Sequence, residues 1–212
     1  MQQLDIIKIP EEWVLSAGRG VNVFVLDGHI DTESSVYKDK VFYYKMLNSG
    51  NFYSTGHCDS VCKIISDVAP FAKIGVYQVL KNKKTDIFGF NIALDEICNQ
   101  DFDVLNISMS SVKNEDYIYR KIEKISKKSI IVASLSNRDM ESYPAKYDNV
   151  ISVSSFTNNY QDADIYCSDR IEAIKSRGNS MSTAFISGIC ALAKSYDKSI
   201  DKERFLKLLL QK

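Results

Sequence analysis

The chain has 212 residues, of which 45% are hydrophobic, and its 27 basic residues are balanced by 27 acidic ones. This length favours one domain, and the composition excludes a disordered or fibrous protein. The zero formal net charge gives no electrostatic basis for binding nucleic acid or an anionic membrane. We therefore expect residues 1–212 to form a single domain that has neither kind of partner.

The chain shows no sign of export. No segment approaches the roughly 20 apolar residues that span a bilayer. Residues Met1–Asp5 lack the basic region and apolar run of a signal peptide. The five cysteines are odd in number and lie mostly in apolar, patterned segments, which is typical of reduced thiols. We therefore expect a cytoplasmic protein.

Apolar runs of strand length alternate with helical patterns along the chain. The strand candidates are Val21–Leu26, Ala72–Leu80, Asp103–Ser108, Ser129–Leu135 and Val150–Ser154. The helix candidates are residues 57–67, 88–99, 115–127, 181–193 and 202–210. Several strand candidates are nearly continuous apolar runs, as in strands buried on both faces of a parallel sheet. The pattern predicts an α/β fold with three layers, αβα, around a mostly parallel central sheet.

Four polar residues fall where predicted strands end or helices begin. Asp27 ends the first strand, His57 opens a helix, Asn137 follows a strand, and Ser180 starts a long helix. In open parallel α/β sheets, functional residues gather at the carboxyl ends of the strands. The sequence therefore predicts that these four side chains meet at one edge of the sheet.

An acid, a base, an amide and a hydroxyl are the groups that acyl transfer requires. A serine hydroxyl becomes nucleophilic when an imidazole accepts its proton, and a carboxylate orients that imidazole. The oxyanion needs donors aimed at it in advance, and losing one such donor typically costs about 2.7–4 kcal/mol of barrier. Each residue alone has a structural explanation, such as a turn or a helix cap, so the hypothesis depends on the set.

Six segments in order along the chain are similar to the motifs of subtilisin-like serine proteases. They are VFVLDGHI (23–30), GHCDSVCKI (56–64), VLNISMS (104–110), IVASLSN (131–137), YPAKYDNVISV (143–153) and GNSMSTAFISG (178–188). The first, second and last resemble the family's segments around the acid, the base and the nucleophile. The fourth resembles V-V-A-A-A-G-N, whose Asn is the family's oxyanion donor. The six segments are spread over residues 23–188, most of the length of the chain.

The resemblance implies a subtilisin-like fold and a serine endopeptidase with catalytic residues Asp27, His57 and Ser180. Asn137 would complete the oxyanion hole. A peptide or protein substrate would bind in extended conformation, against residues that the resemblance assigns to substrate binding: Ser108, Met109, Ser110, Ser134, Leu135, Ser136, Lys84, Thr85 and Asp86. We expect no cofactor and no metal. In particular, residues 66–70 run on directly where many secreted members of the family insert a calcium-binding loop, so no structural calcium is expected there. A pro-domain is not expected within the chain, so a separate propeptide or partner protein is a possible aid to folding.

Several motif positions differ from the family pattern. His29 follows Gly28 in the acid motif, Cys58 and Cys62 stand in the base motif, and Asn179 stands where the family's nucleophile motif has threonine. These changes keep an alternative open, a catalytically impaired peptide-binding protein. A zinc site at His57, Cys58 and Cys62 lacks a fourth ligand and a standard spacing. A nucleotide-binding module is disfavoured because no Gly-rich phosphate loop follows the first strand. Removal of a leader from a ribosomally made peptide precursor is one hypothesis for the role of the enzyme, and limited cleavage of a regulatory protein is another.

Overall fold

The computed structural model describes residues 7–33, 39–47, 56–81, 84–158, 162–171 and 176–210. The strands are β1 (Asn22–Asp27), β2 (Val41–Met46), β3 (Lys73–Gln78), β4 (Leu80–Lys81), β5 (Lys84–Thr85), β6 (Val104–Ile107), β7 (Ile130–Ser134), β8 (Ile151–Ser155) and β9 (Ile165–Cys167). The helices are α1 (Glu11–Ser16), α2 (His57–Val68), α3 (Ile87–Ile97), α4 (Asp116–Ser126), α5 (Asn179–Tyr196) and α6 (Lys202–Leu210).

Within these ranges, seven strands form one sheet in the order β2-β3-β1-β6-β7-β8-β9. Every neighbouring pair in this sheet is parallel. Strands β4 and β5 form a separate antiparallel pair before α3. Because the strands are parallel, their carboxyl ends share one edge, and the loops that follow them meet there.

Each face of the sheet buries its own hydrophobic core. Along β1, Val23 and Val25 point into the core that α1, α2, α5 and α6 cover. Phe24 and Leu26 point into the core beneath α3 and α4. This alternation is the period of two that a strand imposes on its side chains. It produces the predicted αβα layers, so that prediction is confirmed.

Helix α5 is the most deeply buried helix of the fold. It packs against α2 and against β6, β7 and β8. A helix can approach its neighbours closely where its side chains are small, and Gly188 marks such a contact with α2. A methyl group at Gly188 would lie 2.6 Å from Cβ of Val68. The close approach of α2 and α5 therefore requires the missing side chain.

The predicted elements all appear, with ends displaced by at most three residues, apart from the run Ala72–Leu80, which divides into β3 and the start of β4. Asp201 caps the last helix, where its Oδ1 accepts a hydrogen bond from the N–H of Arg204 at 2.9 Å. The prediction missed α1, β2 and β9. The strands β2 and β9 lie at the two edges of the sheet and are short or partly exposed, so they lack the continuous apolar run of a central strand.

We predict that Gly188→Ala destabilises the protein by about 1–3 kcal/mol, because the added methyl group overpacks the contact with Val68. In a Val68→Gly background, which lacks the Cβ atom of residue 68 as well as its two methyl groups, the clash is removed. There the same substitution should stabilise the protein by about 1 kcal/mol, the helix preference for Ala over Gly. Urea denaturation of the four variants measures both effects. Equal effects of Gly188→Ala in the two backgrounds would contradict this account of the contact.

Candidate active site

The register of β1 and β6 aligns two residues at the carboxyl edge of the sheet. Leu26 pairs with Ile107 in this parallel ladder. The next residues along the two strands, Asp27 and Ser108, therefore lie side by side, at the strand spacing of about 4.8 Å. Side chains that form hydrogen bonds with these two residues are therefore brought close to each other.

Asp27 holds the imidazole of His57. Its side chain is fully buried, and Oδ1 accepts a hydrogen bond from the N–H of Gly28 at 2.6 Å. Nδ1 of His57 lies 2.9 Å from both carboxylate oxygens. His57 is the first residue of α2, so the helix start and the strand end fix the pair together. This contact assigns the proton of the neutral imidazole to Nδ1, which leaves Nε2 as the basic nitrogen.

The surroundings of His57 favour its protonated form. Burial lowers the pKa of this imidazole, but the hydrogen bond and the negative charge of Asp27 outweigh burial and raise the pKa above its ordinary value. The side chain keeps 31% of its surface exposed, so the ring can be reached from solvent. His57 is therefore held by Asp27 through Nδ1, while part of its ring remains accessible to solvent.

Ser180 lies above the neighbouring strand end. Its Oγ donates a hydrogen bond to the carbonyl of Ser108 at 3.0 Å. Beneath it, Ser108 Oγ donates to Oδ1 of Asn106, and Nδ2 of Asn106 donates to Oγ of Ser187, each at 2.9 Å. This buried chain of bonds ties β6 to α5. The hydroxyl of Ser180 is therefore positioned by both the strand and the helix.

The helices that carry His57 and Ser180 begin close together. Helix α2 packs along α5. Near their first turns, Oγ of Ser60 lies 3.2 Å from Oγ of Ser176, four residues before Ser180. Together with the alignment of Asp27 and Ser108, this contact brings the imidazole and the hydroxyl to the same edge of the sheet.

The amide of Asn137 has a defined orientation. Its Oδ1 accepts hydrogen bonds from the backbone N–H of Asn179 at 2.8 Å and from Nδ2 of Asn158 at 3.3 Å. A backbone N–H can bond only to the oxygen, so this contact settles which end of the amide is which. The Nδ2 donor consequently points away from Asn179.

Asn179 links the loop that carries Asn137 to α5. Its fully buried side chain donates from Nδ2 to the carbonyls of Leu135 and Ser136, each at 3.0 Å. Its Oδ1 accepts from the N–H of Ser155 at 2.8 Å. The amide therefore joins the ends of β7 and β8 to the start of α5, directly beside the nucleophile candidate.

A sequence profile of the subtilase family, peptidase family S8, matches residues 18–174. The chain belongs to the subtilase family. It is accordingly a serine peptidase, and the resemblance found in the sequence motifs is confirmed at the level of the family.

Other proteins of this kind resemble the chain over most of its length. The Major intracellular serine protease of Bacillus subtilis (strain 168) is 23% identical over 92% of this chain and 75% of its own. The crystal structure of a lanthipeptide protease superposes with a TM-score of 0.75, at 18% identity, over 92% of this chain and 80% of that one. The prenylagaramide maturation protease PagA gives a TM-score of 0.73 at 19% identity over 88% and 79%. These structures share the subtilisin-like fold.

The predicted substrate strand lies beside Ser180. The side chain of Ser108 is buried, and its carbonyl receives the hydroxyl of Ser180. Met109 and Ser110 line a small cavity together with apolar side chains of α3 and α4, including Phe90 and Ile118. Their role in substrate binding stays a prediction, but they adjoin the nucleophile candidate.

The residues predicted to bind substrate at the end of β7, Ser134, Leu135 and Ser136, are largely enclosed. Ser134 and Leu135 are buried, and the N–H of Ser136 donates to Oγ of Ser142 at 2.8 Å. The carbonyls of Leu135 and Ser136 are already bonded to Asn179. These residues shape the wall next to Asn137 chiefly through their backbone.

Residues 84–86, which are predicted to lie on the other side of the substrate from 108–110, form β5 and the cap of α3. The backbone of Lys84 and Thr85 pairs with β4, while their side chains lie outside what the structure describes. Asp86 caps α3 by accepting a hydrogen bond from the N–H of Phe88 at 3.2 Å. A capping role of Asp86 is therefore evident in the fold, and its contact with substrate stays a prediction.

The departures from the family motifs have structural partners. Nδ1 of His29 lies 3.0 Å from the hydroxyl of Tyr44, which in turn donates to Oε1 of buried Gln78 at 2.5 Å. The sulfurs of Cys58 and Cys62 lie 3.9 Å apart in the core. Their mutual hydrogen bond, together with burial, raises the pKa of the Cys58 thiol well above its ordinary value. In the described part of the chain, no cluster of three or more His, Cys, Asp and Glu residues is arranged to hold a metal.

Sequence reasoning missed the structural importance of two amides. Asn106 lies in a strand motif and Asn179 was noted only as a departure from the family pattern, yet both are fully buried and hydrogen-bonded. A polar amide within an apolar, patterned segment is a signal for such a role, because a buried amide must find partners. The partners themselves come from distant segments and cannot be read from spacing.

We predict that Asn179→Ala destabilises the protein by about 3 kcal/mol or more, since each buried polar group left unpaired costs about 1–3 kcal/mol. Urea denaturation measures the loss. The matched control is Asn149→Ala, which removes one side-chain hydrogen bond to Ser126 and should cost much less. Similar losses in the two variants would show that Asn179 does not hold the site together.

Proposed function

We propose that the protein is a serine endopeptidase that cleaves peptide bonds through an acyl-enzyme on Ser180, with Asp27 and His57 completing a triad. The observation that carries the proposal is the buried Asp27 carboxylate bonded to Nδ1 of His57, beside a serine at the start of α5. Membership of the subtilase family supports it.

In the first step, Nε2 of His57 accepts the proton of Ser180 as Oγ attacks the carbonyl carbon of the substrate. Before this transfer, the hydroxyl exchanges its hydrogen bond to the carbonyl of Ser108 for one to the imidazole. The new Oγ–C bond gives a tetrahedral oxyanion. When the C–N bond breaks, His57 gives the proton to the leaving amine, and Asp27 stabilises the imidazolium between the two transfers.

The oxyanion receives hydrogen bonds from Nδ2 of Asn137 and the backbone N–H of Ser180. The N–H groups of the first helical turn have no partner within their own helix and favour negative charge. The bonds to Oδ1 of Asn137 aim its Nδ2 before the substrate arrives. In the second step, water loses a proton to His57, attacks the ester carbon and releases Ser180 with its proton restored.

A ribosomally made peptide precursor is the substrate class that we favour, with removal of its leader as the reaction. Two proteases that share this fold are a lanthipeptide protease and the prenylagaramide maturation protease PagA. The substrate would lie extended along Ser108–Ser110, opposite 84–86, where backbone bonds give affinity and alternate side chains give selectivity.

A cytoplasmic location is part of the same proposal. The Bacillus subtilis relative is an intracellular protease by name. No helix of the described ranges is long and apolar enough to cross a membrane. The comparisons do not support the alternative of a catalytically impaired protein.

We predict that Ser180→Ala abolishes turnover and leaves the fold intact, because the hydroxyl makes one hydrogen bond at a partly buried position. Cleavage of a diverse peptide library, followed by mass spectrometry, measures turnover and shows whether cuts are internal. Circular dichroism checks the fold. A fluorophosphonate probe should label Ser180 in the wild type and no residue in the variant.

The matched control is Ser195→Ala, on the same helix and bonded to the carbonyl of Arg19. It should retain cleavage and labelling. Unchanged cleavage by Ser180→Ala would overturn the assignment of the nucleophile. Absence of both cleavage and labelling in the wild type would favour the peptide-binding alternative.

We also predict that activity is lost as the pH falls through the raised pKa of His57, because only the neutral imidazole accepts the proton of Ser180. The midpoint of the acid limb of kcat/KM should lie above the ordinary value of 6.5. The contribution of His57 to the free energy of unfolding has the opposite pH dependence. The protonated imidazole stabilises the fold at low pH, and this stabilisation is lost as the pH rises through the same pKa. Asp27→Asn should lower both the midpoint and, by about 10⁴-fold, the turnover rate.

Proton NMR can follow the imidazole directly, since the chain has two histidines. A His29→Gln variant assigns the resonances of His57. A His57 midpoint below 6.5 in the wild type, or one unaffected by Asp27→Asn, would contradict the role given to the carboxylate.

A further inference from the structure

A polar cavity of about 420 Å³ opens beside the proposed oxyanion donor. Its size is within the range of about 300–1,000 Å³ that is common for ligand pockets. The described residues that line it come from the ends of β7, β8 and β9 and from the segment before α5: Asn137, Thr157, Asn158, Asp169, Arg170, Arg177 and Gly178. Apart from Asn137, and Asn158 that orients its amide, none of these side chains has a part in the mechanism above.

The position of the cavity relates it to one side of the cleaved bond. Residues 108–110 follow β6, whereas the cavity lies at the ends of β8 and β9, on the other side of β7. If the substrate residues before the cleaved bond lie along 108–110, those after the bond pass toward the cavity. This placement rests on the proposed function.

The one carboxylate among the described lining residues is engaged in holding the wall. Asp169 is buried, and its Oδ2 accepts hydrogen bonds from the N–H of Gly178 at 2.8 Å and from Oγ1 of Thr157 at 3.5 Å. Among the residues that the structure describes, no cation lies within ion-pair distance of Asp169. The carboxylate therefore acts as a structural acceptor within the wall.

Two arginines stand among the described lining residues of the cavity. Arg170 and Arg177 are both exposed, and Nη1 of Arg177 donates to the carbonyl of Ser176 at 3.3 Å. The described lining thus presents two guanidinium groups and one carboxylate, and that carboxylate is already engaged in the wall. Arginine presents a planar fork of donors that matches a carboxylate, and such charge-assisted bonds are stronger than bonds to a neutral amide.

We propose that this cavity binds a carboxylate of the substrate on the carboxyl side of the cleaved bond, with Arg170 and Arg177 as the specificity-determining residues. An Asp or Glu side chain and the carboxyl terminus of a short substrate share this chemistry. The site selects peptides that have an acidic group within the first few residues after the bond.

The test uses quenched fluorescent peptides that carry Glu or Gln at the first, second or third position after the bond. The wild type should cleave the best Glu peptide with a kcat/KM about tenfold above that of its Gln partner. The preference should decrease at high ionic strength. A second series of peptides ends at those positions, with either a free or an amidated carboxyl terminus. Comparing the two series shows whether the enzyme prefers an acidic side chain or a free chain end. A preference in either series supports the site.

The Arg170→Gln, Arg177→Gln and double variants identify the residues. The ratio of kcat/KM for the acidic peptide over the neutral one should fall in each single variant and reach about one in the double variant. Arg120→Gln, an exposed arginine on α4, is the charge-matched control and should keep the wild-type ratio. A double variant that keeps the ratio, or a wild type without preference in either series, would overturn the inference.

This experiment separates the two proposals. If cleavage requires Ser180 but acidic and neutral peptides react equally, the inference about the cavity fails and the proposed peptidase stands. If no peptide is cleaved and no probe labels Ser180, the proposed function fails, and the inference about the cavity fails with it.

Discussion

Parallel pairing of β1 with β6 is the constraint on which the candidate site depends. The pairing of Leu26 with Ile107 brings the following residues, Asp27 and Ser108, into adjacent positions at one edge. One of them holds the imidazole and the other holds the hydroxyl. A slip of one residue in this register would turn every side chain of a strand to the opposite face, and both hydrophobic cores would be lost with it. The cores and the site are thus fixed by the same pairing.

Burial of Asp27 has two effects that oppose each other. Burying a carboxylate costs free energy, because the charge loses its hydration. Hydrogen bonds from the N–H of Gly28 and from the imidazole of His57 reduce that cost. The same burial removes solvent screening, which strengthens its attraction for a protonated His57. The attraction exceeds the desolvation of the imidazole, because the pKa of His57 is raised overall. The site is therefore suited to stabilise the charged imidazole that forms during proton transfer.

The sequence predicted the parts of the structure that depend on local pattern. The central strands were recognisable because burial on both faces requires continuous apolar runs, as in Val104–Ile107. The edge strands β2 and β9 have no such requirement, and the sequence did not reveal them. Asp27, His57, Asn137 and Ser180 were predicted as a set because the family motifs coincide with the ends of strands and the starts of helices. The cavity lined by Arg170 and Arg177 was not, since its walls come from separate loops whose approach depends on the order of the strands.

The departures from the family motifs show how a divergent sequence can keep one geometry. Asn179 replaces the threonine of the family motif, and its amide bonds three backbone groups at the ends of β7 and β8. A threonine side chain has one donor and cannot make the same three bonds. The loops at 135–137 and 155–158 are therefore held together by the amide of Asn179, and they surround the side chain of Asn137. The segment next to the candidate nucleophile is thus supported by an amide, while Asp27 and Ser108 remain where the strand register puts them.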